Sequence, residues 1–352
     1  MTNQRYDWLD QLKGIAMVFI VLGHATLTKS PPHVIICYAF HIPLFFMISG
    51  MTARVHRNRH PETESIPKVI WTKIRQLVIP YFLLNIAFIP AYYFNFAVLR
   101  GKHVSLFNLL FGMVYSNQDR MKAPTDATWF LLTLFLAEIL FDLLERVFKR
   151  DSGKILLAGI AMGFLSYGES LTGIKILYPW HFQAAPMAVF FMAMGYWFME
   201  NRERVVGAFE GIFNNKWLRA LCLIIVFAAG VLLALKNGKV SVPSGVYKSI
   251  VLFILAFFCL AGPVTYFAMW LKPLWIFKFI GKNTIFFMAA QCVIMTVFMK
   301  FSWGSMLLDK FPYVMAIIVI AIMIPMSMFI NKFLPFLVGK KYKKRIKTDG
   351  NN

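Results

Sequence analysis

One histidine, His24, lies inside the first apolar stretch of the chain, which begins at Leu12. At a helical rise of about 1.5 Å per residue, His24 would lie roughly 18 Å deep, past the middle of a hydrocarbon core about 30 Å thick. An ionisable side chain at that depth costs free energy, so a functional role is the first hypothesis for it. Histidine, with an ordinary pKa of about 6.5, can take up a proton near neutral pH.

Two further polar residues share the helix face of His24. Lys13 lies eleven residues before His24. Eleven steps of about 100° return to nearly the same face, roughly 16 Å away along the helix axis. Asp10 falls on the same stripe. The sequence therefore predicts a narrow polar seam that runs from one membrane surface to beyond the midplane.

The composition explains why helices in a membrane must position these residues. The chain has 352 residues, of which 59% are hydrophobic and 15% charged, a balance typical of a polytopic membrane protein. The net charge of +21 does not indicate nucleic-acid binding, because the basic residues lie in short loops between apolar segments. The cysteines lack metal-ligand spacing, and we expect no metal.

The apolar windows predict an all-α bundle of about ten transmembrane helices, with residues 1–352 as one membrane-embedded domain and 336–352 as a short basic tail. A further apolar piece at 106–115 is too short to span a bilayer, and we expect it to be interfacial or re-entrant. The ten predicted helices cover residues 12–28, 33–53, 77–98, 127–147, 154–168, 181–199, 217–235, 247–270, 279–299 and 312–335.

Basic residues predict the orientation of the bundle. They concentrate in the segments 54–76, 146–154 and 340–347, which alternate along the predicted topology and so fall on one side. Loops rich in lysine and arginine face the cytoplasm in multi-pass proteins. We therefore expect both termini to be cytoplasmic and the protein to reside in the plasma membrane, in contact with the lipid bilayer.

Four stretches resemble the acyltransferase 3 family of integral membrane acyltransferases, in particular its branch of sugar and polysaccharide O-acetylases. The first is the seam already described, in which an Asp-x-x-Lys-Gly sequence precedes His24. The other three lie at residues 40–50 (FHIPLFFMISG), 128–132 (TWFLL) and 280–284 (IGKNT). Gln291 stands about where the late helix of the family often carries a histidine.

The resemblance implies an O-acyltransferase that moves an acyl group, acetyl in this branch, from cytoplasmic acetyl-CoA or another acyl-CoA to a hydroxyl of a cell-surface or lipid-linked glycan. It assigns catalysis to His24, with His41 of the second helix as its partner. Lys13 at the inner lip would hold an anionic part of the donor. The remaining expected site residues are Lys73 and Arg75 for the donor, and Trp129, His181 and Gln291 for the substrate.

Several alternatives remain open at the level of sequence. His24 can act as a general base on the sugar hydroxyl, or it can accept the acyl group first and pass it on. His41 can instead satisfy a backbone carbonyl freed by the nearby Pro43. Polar residues inside a helical bundle also suit a transporter or flippase for a glycan intermediate, and a catalytically silent binding relative is a third possibility.

Overall fold

The computed structural model describes residues 6–26, 30–95, 105–117, 123–173 and 177–341. These residues form fourteen α-helices and no strand, so the predicted all-α class is confirmed. The helices are α1 (Asp7–His24), α2 (Pro32–Arg59), α3 (Ile66–Lys73), α4 (Ile79–Tyr93), α5 (Leu106–Tyr115), α6 (Trp129–Val147), α7 (Ser152–Leu171), α8 (Ala185–Ile212), α9 (Lys216–Asn237), α10 (Ile250–Trp270), α11 (Trp275–Gly281), α12 (Thr284–Phe298), α13 (Ser302–Lys310) and α14 (Pro312–Phe333).

Six helical segments in the described part of the chain are long and apolar enough to cross a bilayer, and a seventh is obtained if the bent pair α11 and α12 counts as one span. The predicted count of about ten is therefore not reached by length and composition. Helices α1, α6 and α7, with 18, 19 and 20 residues, are long enough but more polar. Helix α5 has ten residues and is too short to span, as predicted.

The first predicted helix is displaced along the chain. Helix α1 begins at Asp7 rather than at residue 12, and it ends at His24, whereas the prediction ran to residue 28. Residues 27–29 lie outside the described part. His24 is thus the last residue of α1 and not a mid-helix residue. The helix begins earlier than predicted because the acidic residues of its first turn, Asp7 and Asp10, are favourable at a helix N-terminus.

Two other predicted helices differ from the structure in shape. The third begins earlier, at Ile66, because α3 continues into α4 through a π-helical turn at Ile74–Val78; its predicted end, 96–98, lies outside the described residues. The ninth, predicted as one helix over 279–299, is broken into α11 and α12 with a bend of 88°. Broken helices in membranes occur where the protein itself covers the backbone.

Close backbone contact joins α1 to α11 through two of the motif glycines. A Cβ atom on Gly14 would lie 2.0 Å from the carbonyl oxygen of Phe277, and a Cβ atom on Gly281 would lie 1.8 Å from that of Asp10. Neither distance can accommodate a side chain, so these glycines allow the two helices to touch. The motifs around Lys13 and at 280–284 therefore meet in space.

Helices α1 and α2 run antiparallel, and this fixes two ends of the bundle. Lys13 of α1 lies near the second half of α2, around Ser49 and Thr52, while His24 lies beside Tyr38 in its first half. These two ends of the bundle are the Lys13 side and the His24 side. Helix α12 starts at the Lys13 side, where Lys282 lies 3.9 Å from Asp10.

Candidate functional site

Tyr38 is the centre of an aromatic cluster on the His24 side. Its ring centroid lies 6.1 Å from that of His24 and 5.1 Å from that of His41. The two histidines predicted as catalytic partners therefore contact the same tyrosine ring. His24 is half-buried and His41 is buried. We name His24, Tyr38 and His41 the histidine cluster.

A hydrogen bond within α2 orients His41. Its Nδ1 nitrogen donates to the carbonyl oxygen of Cys37, one turn earlier. The carbonyl that Pro43 leaves without a helical donor is that of Ala39, so His41 does not serve as its substitute. With the proton on Nδ1, the neutral ring keeps the lone pair of Nε2 for another group.

Lys239 adds a positive charge to the histidine cluster. Its ammonium nitrogen lies 4.5 Å from the centroid of the Tyr38 ring, in the geometry of a cation–π contact. The same charge acts electrostatically on His24. Burial lowers the pKa of Lys239, because the charged amine loses hydration there. No motif or periodicity in the sequence indicates a site role for this residue, which follows α9 by two positions.

The loop that carries Lys239 also forms a hydrogen bond with His181, one of the predicted substrate residues. The carbonyl oxygen of Pro243 accepts a hydrogen bond from His181 Nδ1 at 3.0 Å and one from Gln183 Nε2 at 2.6 Å. The ring of His181 lies edge-on to that of Trp129, with centroids 5.2 Å apart. Trp129 and His181 are therefore in contact, and this loop connects His181 to the histidine cluster.

The backbone at His181 is strained. Trp180 and His181 have φ angles of 58° and 49°, in the left-handed region that residues other than glycine and asparagine rarely adopt. Thr133 Oγ1 donates a hydrogen bond of 3.0 Å to the carbonyl oxygen of Trp180 and helps to hold this conformation. Such strain is common at functional sites, where it fixes the direction of a side chain.

A cavity of about 490 Å³ opens on the Lys13 side and is lined by Lys13 itself. Its volume falls within the range of small-molecule sites. Helix α2 contributes a regular stripe to its wall, from Phe45 through Ser49 and Thr52 to His56. Helix α6 contributes Phe130 and Leu134 at one end and Glu145 at the other.

The cavity stops one helical turn short of the histidine cluster. Its innermost wall consists of Phe45, Phe130 and Met288, and the ring centroids of the two phenylalanines lie 5.8 Å apart. His41 lies four residues before Phe45 on the same face of α2, which is about 6 Å further along the helix. We call Phe45, Phe130 and Met288 the apolar partition.

Gln291 lies one turn beyond the partition on α12, on the cluster side of Met288. The side chain is completely buried, and its amide oxygen has no hydrogen-bond partner among the described residues. The adjacent Cys292 is close enough to Tyr38 for an electrostatic interaction. A buried amide oxygen without a partner is costly, and it is typical of a group that binds a ligand.

Only one of the two helix residues predicted to bind the donor, Lys73 and Arg75, lines the cavity. Lys73 lines the cavity and forms an ion pair of 2.9 Å with Glu138. Arg75 is exposed and does not line it. The physical reason is helical periodicity, since residues two positions apart point to opposite faces.

Sequence reasoning missed an acidic face on α6 that forms much of the cavity wall. Glu138, Asp142 and Glu145 follow a helical spacing of four and three residues, which was a readable signal of an inward polar face. Arg57 Nε donates to both oxygens of Glu145 at 3.1 and 3.2 Å, and its Nη2 donates to Asp142 at 2.5 Å. Ion pairs therefore offset much of the charge inside the cavity.

The model of the acyltransferase 3 family, described as an acyltransferase domain, matches residues 6–331 of the chain. The match includes α1, the histidine cluster, the cavity and the late motif at 280–284. The chain belongs to the acyltransferase 3 family. No curated protein and no solved structure matches it.

The acyltransferase is accordingly a multi-pass membrane enzyme that transfers acyl groups other than aminoacyl groups, and the predicted enzyme class is confirmed. It requires an acyl donor, an acceptor and a membrane. Family membership favours the enzyme over the transporter considered above. In the described part of the acyltransferase, no group of three or more histidine, cysteine or acidic side chains could hold a metal ion.

Proposed function

We propose that this acyltransferase transfers an acetyl group from cytoplasmic acetyl-CoA to a hydroxyl of a cell-surface or lipid-linked glycan, in the plasma membrane, with His24 as the reacting histidine. One observation carries the proposal. A single continuous helix, α1, has Lys13 in the wall of a cavity near one end and His24 in the histidine cluster at the other. The eleven residues between them correspond to about 16 Å of helix.

The proposed orientation rests on the basic loops. The segments 54–76 and 146–154 lie at the ends of α2 and α6 that border the cavity, and their lysines and arginines favour the cytoplasmic side. The Lys13 side would then face the cytoplasm, where acyl-CoA is found. The His24 side would face outward, where glycans are finished.

The donor would enter the cavity with its thioester end first. Lys13, in the wall of the cavity, would attract an anionic part of the donor, and the thioester arm has a length comparable to the separation of Lys13 and His24. The apolar partition would have to open by rotation of the Phe45 and Met288 side chains. Methionine is the side chain best suited to such rearrangement, because it is long and unbranched.

The chemistry at His24 has two routes, and both balance. As a general base, the imidazole takes the proton of the sugar hydroxyl while the hydroxyl oxygen attacks the thioester carbonyl, and the C–S bond breaks to release CoA. As a nucleophile, an imidazole nitrogen attacks the thioester first, and the acyl-imidazole then transfers its acyl group to the hydroxyl. His41 and Tyr38 would hold the imidazole in place on either route.

The acceptor would bind on the His24 side. Trp129 is buried beside His181, and its indole ring would stack on a sugar ring. Gln291 offers a buried amide to the reacting groups, either to the acceptor or to the thioester carbonyl.

Mass spectrometry of surface glycans from cells with and without this protein tests the proposal. We expect base-labile ester groups, each adding the mass of one acetyl group, to disappear from the glycan when the protein is absent, with the amount of exported glycan unchanged. Intact acetylation together with a loss of exported glycan would instead support transport. A different mass increment would identify another acyl chain and correct the choice of acetyl.

A further inference from the structure

A second cavity, of about 520 Å³, lies next to the first on the Lys13 side. The two cavities share three wall residues, Arg57, Asp142 and Glu145. The segment between α2 and α3 borders both, since Thr63 lines the second cavity and Glu64 lines the first. The other residues of the second cavity are Arg146, Lys149 and Arg150, from the end of α6 and the turn after it.

The charges of the two cavities differ in sign. The wall of the first cavity has three lysine and arginine residues, Lys13, Arg57 and Lys73. It also has four carboxylates, Glu64, Glu138, Asp142 and Glu145. The second has four lysine and arginine residues, Arg57, Arg146, Lys149 and Arg150, against two carboxylates, Asp142 and Glu145. The first cavity therefore has no excess positive charge for a polyanion, and the second cavity does.

Arg150 donates hydrogen bonds to uncharged groups. Its guanidinium donates to the carbonyl oxygen of Pro61 at 2.5 Å and to the hydroxyl of Thr63 at 3.0 Å, which are both neutral partners. Arg146 is different, because its Nε pairs with Asp142 at 2.6 Å. Lys149 is exposed at the rim. Arg150 and Lys149 are the two cations best able to attract an anion.

The backbone at Lys149 and Arg150 is strained. Lys149 and Arg150 have φ angles of 50° and 64°, in the left-handed region where a helix end normally has glycine or asparagine. A residue other than glycine carries a conformational cost there. Two consecutive cationic residues in such positions are therefore better explained by a role of the side chains than by the turn itself.

We infer that the second cavity binds the 3′-phosphate in the nucleotide portion of the acyl-CoA donor, with Lys149 and Arg150 as the principal contacts, while the pyrophosphate lies toward Lys13 and the thioester arm enters the first cavity past Arg57. This inference rests on the proposed donor. It divides donor recognition between an anion site at the surface and an arm site in the bundle. Phosphate chemistry is shared by anionic lipid headgroups, so the test must separate the two sources.

The test uses the full-length protein in nanodiscs of neutral phosphatidylcholine and compares KM values for acetyl-CoA, 3′-dephospho-acetyl-CoA and S-acetyl-pantetheine. Lys149→Glu is expected to raise KM for acetyl-CoA about tenfold, since a favourable charge contact becomes repulsive. The increase should be smaller for the dephospho donor and absent for S-acetyl-pantetheine. Lys149→Gly should be at least as stable as the wild type, because it relieves the left-handed strain, and yet raise KM for acetyl-CoA.

The matched control is Lys154→Glu, an exposed lysine five residues away that lines neither cavity. It changes the net charge equally and should leave all three KM values unchanged. An equal effect of Lys149→Glu on all donors, or none on any, would overturn the inference while leaving the proposed donor intact. If instead anionic lipid alone abolishes the difference between wild type and variant, the cavity is a lipid site. Failure of the wild type to use acetyl-CoA would overturn the proposed function and this inference with it.

Discussion

The imidazole of His24 and the ring of Tyr38 lie with their centroids 6.1 Å apart, at an angle of 59°. The Tyr38 ring also contacts the ring of His41 edge-on, with centroids 5.1 Å apart, so one aromatic ring contacts both histidines. His24 is the last residue of α1, where the backbone frays most easily. The Tyr38 ring is therefore placed to restrain the direction of the His24 side chain.

Substitution at Tyr38 separates the contribution of the ring from that of the hydroxyl. Tyr38→Phe keeps the ring that contacts both histidines and should retain kcat within about twofold, whereas Tyr38→Ala should lower kcat at least about tenfold through loss of positioning. Steady-state kinetics of the purified protein measure both values, and thermal unfolding controls for folding. A Phe variant as impaired as the Ala variant would assign the role to the hydroxyl instead.

Gln291 should show opposite effects on stability and activity. Replacing it with methionine removes a buried amide oxygen that has no partner, so we expect stability to stay equal or to rise by about 1 kcal/mol. We expect kcat to fall about tenfold, because the amide is no longer available to the substrate. Thermal unfolding and initial rates on the same preparation provide the comparison. Unchanged kcat would remove Gln291 from the site.

Lys13 should affect donor affinity more than the chemical step. Lys13→Ala removes a charge from the cavity wall and should raise KM for acetyl-CoA about five- to tenfold with a smaller change in kcat. Lys13→Arg should restore most of the affinity. The control is Lys282→Gln. Lys282 lies at the same end of the bundle, but it does not line the cavity. An equal effect of both variants would indicate a general electrostatic effect rather than binding.

The Arg57 ion pairs should matter to stability in a way that depends on how they are removed. The side chains of Arg57 and Glu145 are only 10% and 4% exposed. Arg57→Ala leaves the buried Glu145 without the cation that it pairs with, and should cost about 3–5 kcal/mol. Replacing Arg57, Asp142 and Glu145 together with methionine or leucine should cost clearly less. Urea or thermal unfolding in detergent measures both, and a larger loss in the triple variant would contradict this account.

The sequence predicted much of the site because the relevant residues lie on single helices. The Lys13 and His24 stripe follows from 3.6-residue periodicity, and periodicity would also have separated Lys73 from Arg75 and joined Glu138 to Asp142 and Glu145. The pairing of Lys239 with Tyr38 could not be predicted, since about 200 residues separate them and only tertiary packing brings them together. The break between α11 and α12 depends likewise on contact of Gly281 with α1.

The most direct test of the central claim is the His24→Ala variant, expressed in cells that lack the native protein and compared with a matched His33→Ala variant. His33 lies nine residues away, on the ring of Tyr313 rather than that of Tyr38. Base-labile ester on the surface glycan is the readout, with membrane levels of each variant measured in parallel. We predict that His24→Ala removes the ester almost completely while His33→Ala retains it. Normal ester levels in the His24→Ala cells would contradict the assignment of His24 as the reacting histidine.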